Sequence, residues 1–203
     1  MSRLLRLAWA ASAVVGGGLF GLVVSRLNGA SWPPFTAFSL VLGTGWTWAG
    51  LAYFLGRSCA ASALRASVAA LLGLVAAVVA YSLSDLSRGV YRTVDETDPL
   101  LATYTDWRGF VTTTGFWVVV AVVVAPVLGI AGRSGRGWQT RAVISKLLIP
   151  ILALTEMTRR LATEAGFQPS PVAVYTWGVV EGCSLLVVIV ILGIRATRTL
   201  QRR

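Results

Sequence analysis

Two glutamates stand in stretches whose other residues are almost all apolar. Glu156, in Thr155-Glu156-Met157, and Glu181, in Val180-Glu181-Gly182, each interrupt a run long enough to cross a bilayer. A carboxylate in hydrocarbon is costly or kept neutral, so it marks a functional site by default. Burial favours the protonated form, and a second carboxyl close by strengthens that effect. Such a pair could give a proton to an apolar substrate or orient a ligand through hydrogen bonds. Asp85 closes another apolar run, with Tyr81 four residues earlier on the same helical face, and Asp106 precedes the next run.

Aromatic residues accompany these acids. Trp46, Gly50 and Tyr53 share one face at i, i+4 and i+7, and Trp177 lies four residues before Glu181. With Tyr81 and Trp117 they could line a pocket and stabilise a cation, at about 2 kcal/mol or more for each desolvated face. Simpler roles compete. Glu156 has Arg159 and Arg160 at i+3 and i+4, the spacing of a structural ion pair. Glu181 has no basic residue within a turn, which weakens that reading for it. Asp85 could simply end a helix, and each aromatic could pack in the core or face lipid.

The elements that must position these residues follow from composition. The chain has 203 residues, 56% hydrophobic and 13% charged, against about 25% charged in soluble domains. Mean hydropathy is +0.73. Apolar segments at about 4–27, 35–55, 63–83, 109–131, 142–165 and 172–194 predict an all-α, polytopic membrane protein, a single bundle of six transmembrane helices. A β-barrel would need alternating segments of about 10 residues, which these are not. Residues 84–106 form a long polar outer connection carrying Asp95, Glu96 and Asp98, a length more typical of a cap or lid than a linker.

Orientation follows from the cations. With the N-terminus inside, Arg26, Arg88, Arg92, Arg108, Arg159 and Arg160 fall in outer segments and the other 12 of the 18 Lys and Arg in inner ones. Both termini are therefore expected in the cytoplasm, with the protein in the inner membrane of a bacterium. On that topology Glu156 and Glu181 both lie about 13 Å below the outer surface. Trp46 lies about 16 Å into its helix, near the midplane. Asp85 and Asp106 would rim the same chamber.

The net charge of +10 is distributed between the spans, so the bilayer, not nucleic acid, is the expected partner. There is no histidine, and Cys59 and Cys183 lack metal-site or redox spacing, so no metal and no cofactor is expected. Gly17 and Gly21 have the GxxxG spacing that lets a helix approach closely, either within the chain or from a partner.

Asp85, Glu156 and Glu181 set among Trp46, Trp117 and Trp177 resemble the integral membrane terpene cyclases of indole and diketopiperazine meroterpenoid pathways. The resemblance implies metal-independent, acid-initiated cyclisation of a prenylated, farnesyl-bearing substrate. Glu181 would then be the proton donor and Glu156 its partner or relay, with Asp85 as a further acid. Trp46, Tyr53, Tyr81, Trp117, Trp177 and Asp106 would line the substrate site. In length, helix number and an outer-half pocket the chain also resembles the substrate-binding components of energy-coupling-factor vitamin transporters. That likeness implies binding without turnover and docking through Gly17 and Gly21. A membrane assembly factor with no small ligand is a third expectation.

Overall fold

The computed structural model describes residues 3–58, 62–94, 103–164, 166 and 170–201, with side chains from Ala8 onward. Cys59, Asp95, Glu96 and Asp98 lie outside the described residues. The described chain is helical but for one short hairpin: α1 (Arg3–Leu27), α2 (Pro33–Leu42), α3 (Gly45–Ser58), α4 (Ala63–Ser87), β1 (Arg92–Val94), β2 (Thr103–Thr105), α5 (Trp107–Ser134), α6 (Thr140–Thr163) and α7 (Pro171–Leu200).

Residue type explains the helix ends. Pro33 and Pro171 start α2 and α7, where a missing N–H has no intrahelical partner to lose. Ser62 caps α4 by accepting from Arg65 N–H at 3.2 Å, and Asp106 caps α5 by accepting from Gly109 N–H at 2.8 Å. The expected outer connection is shorter than 84–106, because α4 continues to Ser87 and α5 begins at Trp107. Its two flanks pair as antiparallel strands, with Thr93 opposite Tyr104.

The packing is close because the contacting residues are small. A Cβ on Gly17 would meet Gly73 O at 1.9 Å, and one on Gly21 would meet Ala77 O at 2.0 Å. The GxxxG face of α1 is thus filled by α4 of the same chain. Of the two expectations for that face, packing within the chain is what the contacts show. Around α4, the core of α3, α4 and α5 consists largely of Ala52, Ala70, Ala121 and Ala125, with Leu74 and Leu128. The bulky residues point the other way. Val119, Val123 and Val127 of α5 are 63–66% exposed at four-residue spacing, an outward stripe suited to lipid. Helices α6 and α7 pack as a pair and join the rest through α2, α3 and α5.

The chain is an all-helical membrane-type protein. Among the described residues, four helices are long and apolar enough to cross a bilayer: α4, α5, α7 and residues Ala8–Leu27 of α1. Two departures from six continuous spans are evident. The expected helix over 35–55 is broken at Gly43-Thr44, where α2 and α3 meet at 65°, so together they count as at most one bent span. Helix α6 falls outside this set because Arg141, Lys146, Glu156, Arg159 and Arg160 interrupt its apolar residues.

Candidate functional site

The break between α2 and α3 organises the site. A helix end at that point leaves backbone N–H groups without partners, which hydrocarbon cannot satisfy. Thr44 and Thr47 deal with the carbonyl side: Thr44 Oγ1 donates to Val41 O, and Thr47 Oγ1 donates to Leu42 O at 2.9 Å and Thr44 O at 2.7 Å. The N–H side is served by Glu156 of α6, which accepts from Gly45 N–H at 3.3 Å and Trp46 N–H at 3.2 Å. Glu156 is therefore the N-terminal cap of α3, supplied from another helix, with its charge at the positive end of the helix dipole.

Arg160, one turn along α6, completes this arrangement. Its guanidinium lies 3.3 Å from Glu156 Oε1 and 2.9 Å from Glu164 Oε2. It also stands 5.7 Å from the centre of the Trp177 ring, so one face of that indole is occupied by a cation of the protein. Trp177 is only 5% exposed and packs with Met157 and Ala173, against Trp46 and Leu40. Trp46 thus sits in the first turn of α3 beside α6 and α7, not midway along an unbroken span.

A cavity of about 410 Å³ opens at this junction, lined by Gly45, Trp46, Ala49, Leu152, Thr155, Glu156 and Arg159. Irregular backbone at membrane depth is tolerated where it lines a cavity or is buried in protein, and the α2–α3 break meets the first condition through Gly45. The indole N–H groups of Trp46 and Trp177 are buried with no acceptor. Arg159 forms no ion pair among the described residues. The cavity therefore combines apolar walls with a guanidinium that has no ion pair among the described residues.

The structure separates the two glutamates expected to work as a pair. Thr158 Oγ1 donates to Glu181 Oε1 at 2.6 Å. Thr158 and Glu156 are two residues apart, about 160° around α6, so the two carboxylates engage opposite sides of that helix. Matched depth does not imply proximity when a helix stands between. Glu181 is not part of the cavity wall, although Thr158 is one turn from Thr155, which is.

Asp85 and Tyr81 belong to a different cluster, between α1, α2 and α4. Asp85 is 6% exposed and accepts from Ser25 Oγ at 2.7 Å. Arg88 lies 3.6 Å from the Asp85 carboxylate and donates to the carbonyls of Ser25 and Asn28. Asn28 Nδ2 donates to Tyr81 OH at 2.8 Å, and Asn28 Oδ1 accepts from Ser39 Oγ at 2.6 Å. This network ties three helix ends together. Just outside the helix, Tyr91 has its phenol pushed up by burial and then by the Asp85 charge.

The remaining expected residues are dispersed. Tyr53 is buried near the other end of the bundle, where Ser145 Oγ donates to its hydroxyl at 3.4 Å. Trp117 is 51% exposed on α5 and stacks edge-on with Phe116. Asp106 is occupied as the α5 cap. A single chamber holding all nine residues does not form; Trp46 and Glu156 line the cavity, with Trp177 packed behind Trp46. Sequence reasoning missed Gly45 and Arg159 as cavity residues. The Gly43-Thr44-Gly45 run inside an apolar segment was the available signal for a break.

Compared with known family models, curated proteins and solved structures, the chain matches none.

Proposed function

We propose that the chain crosses a bacterial inner membrane six times, with both termini cytoplasmic, and that the α3–α6 cavity binds an amphipathic small molecule. On this reading α2 and α3 make one bent crossing and α6 makes another. The charges on α6 are accommodated by pairing, by the α3 cap and by the ends of the span. Orientation rests on the distribution of Lys and Arg. The observation that carries the binding reading is the cavity at a broken span, where the Arg159 guanidinium, without an ion pair among the described residues, stands beside apolar walls. A ligand with an apolar body and an anionic or carbonyl-rich head satisfies both. A prenyl chain ending in a phosphate or carboxylate has that form.

Binding without turnover accords with Glu156, whose described partners are all donors that serve an ionised carboxylate. A vitamin-type binding component docked through Gly17 and Gly21 is not favoured, since α4 covers that face. Acid-initiated cyclisation of a farnesyl-bearing substrate is the second reading, and Glu181 is the observation that favours it. Glu181 stands within an apolar helix, partnered by a hydroxyl and by no cation among the described residues.

Titration of the purified full-length chain in detergent with farnesyl monophosphate and with farnesol tests the first reading. Saturable binding that prefers the phosphate, and that weakens about tenfold or more in Arg159→Gln, is expected from the loss of one charge-assisted contact. No saturable binding, or an unaffected Arg159→Gln, would refute it. Mass analysis of membranes supplied with farnesylated indole tests the second. A cyclised product that disappears in Glu181→Gln supports acid catalysis, and absence of product from the wild type rejects it for that substrate.

A further inference from the structure

At the end of the bundle away from the hairpin, α3, the α5–α6 connection, α6 and α7 bring Arg57, Arg136, Lys146, Arg195 and Arg198 to one surface. Backbone oxygens link them. Arg57 donates to Gly135 O at 2.8 Å, Arg136 to Arg57 O at 2.8 Å, and Lys146 to Gly137 O at 2.6 Å. Among the described residues none of the five forms an ion pair; the acids in such pairs are Asp85, Glu156 and Glu164, at other places in the fold. Cations gathered in this way repel one another unless an anion joins them.

Where α6 begins and α7 ends, a cavity of about 200 Å³ is lined by Trp138, Gln139, Thr140, Arg195, Arg198 and Thr199. Its geometry is fixed. Trp138 is held between two cations, with Lys146 Nζ 3.7 Å and the Arg198 guanidinium 4.8 Å from its ring centre. Arg195 Nη2 donates to Thr140 Oγ1 at 3.1 Å, which anchors that guanidinium at the cavity wall. The first turn of α6 has no side-chain cap, so its amide dipoles add to the positive field.

The surroundings indicate which anion. Leu185, Leu192 and Thr199 follow at seven-residue intervals on one face of α7, and both leucines are 46–48% exposed. An exposed apolar stripe of a spanning helix therefore runs directly into the basic cavity. A soluble phosphate has no use for that stripe, whereas acyl chains below a headgroup do. We propose that this cavity binds the phosphate headgroup of an anionic phospholipid from the leaflet at that end, with the acyl chains along Leu185 and Leu192. Trp138 anchors the interface, as indoles do at headgroup level.

The test uses the full-length chain purified in detergent, with native mass spectrometry after equal additions of phosphatidylglycerol and phosphatidylcholine. The wild type is expected to retain phosphatidylglycerol preferentially. Each arginine near an anionic headgroup is worth about fivefold in binding, so Arg195→Gln with Arg198→Gln should weaken retention roughly thirtyfold. Arg92→Gln with Arg108→Gln removes the same charge at the opposite end and should leave retention unchanged. Thr199→Glu places a carboxylate in the wall, removing only a hydroxyl bond to its own helix, and should reproduce the loss without disturbing the fold. No preference in the wild type, or equal losses in both double variants, overturns the proposal. Displacement of the lipid by sodium phosphate at equal concentration overturns the headgroup assignment in favour of a free anion.

Discussion

Glu156 shows how much the role of one residue depends on its partners. By type and position it is an acid in a membrane segment; by contact it caps α3 and pairs with Arg160. Glu156→Ala removes the acceptor for two backbone donors and leaves Arg160 with Glu164 as its remaining described acidic partner. It should lower stability in detergent by about 1–2 kcal/mol, mainly from the lost cap. Glu156→Gln keeps an oxygen for Gly45 and Trp46 and should cost less. Thermal unfolding of both variants checks the order, and equal losses would show that only the charge matters. Asp85 has a similar structural role, with a readable consequence at Tyr91. The folded state holds the Tyr91 proton more tightly than the unfolded chain does. Its contribution to stability is thus complete below the ordinary tyrosine value of about 10 and is lost as pH rises through the higher folded value. Asp85→Asn removes the smaller of the two causes, so the Tyr91 part of the alkaline rise in tyrosinate absorbance should move to lower pH than in the wild type.

Among the elements, α1 and α4 depend on contacts with no spare space. Gly17→Ala or Gly21→Ala would drive a methyl into backbone, where no side chain can yield, and should destabilise by about 1–3 kcal/mol. Gly16→Ala and Gly18→Ala, on the same helix with nothing within 4 Å, should be neutral or slightly stabilising. Unfolding in detergent of the four variants separates the two faces of α1. The bent α2–α3 pair presents the contrasting case of an element held by a neighbour. Its helix ends are served by Thr44, Thr47 and Glu156, so the bend has a chemical cause and lies beside the larger cavity.

For the whole molecule, small residues inside and large apolar residues outside reverse the usual soluble pattern, as a protein in lipid permits. The described acids stand apart from the five-cation surface, with Arg88 and Arg160 paired among them. Asp85, Glu156, Glu164 and Glu181 lie in the half shared with the hairpin or at the α6–α7 contact, whereas Arg57, Arg136, Lys146, Arg195 and Arg198 collect at the opposite end. The proposed topology predicts that a cysteine at Tyr104 is labelled by a membrane-impermeant thiol reagent added to intact cells. One at Gln201 should be labelled only after the membrane is opened, each in a chain whose Cys59 and Cys183 are replaced by serine. Reversed labelling would invert the orientation, and labelling of both from outside would require an even number of crossings between the two positions.

The sequence by itself determined the helical class, the membrane setting and the approximate limits of most helices, because these depend on local hydropathy, prolines and caps. It also singled out Trp46, Glu156 and Glu181 as unusual, since rarity in an apolar segment needs no tertiary information. Only the tertiary structure decided which of them meet. Depth along a helix is readable from residue number, but which neighbour a helical face meets is set by how all the helices pack. That packing put α6 between Glu156 and Glu181, turned the Gly17–Gly21 face onto α4, and drew Asp85 into a cluster with Ser25 and Asn28. The break at Gly43-Thr44 was the hardest feature to foresee, because its stability comes from a carboxylate 110 residues away in the chain.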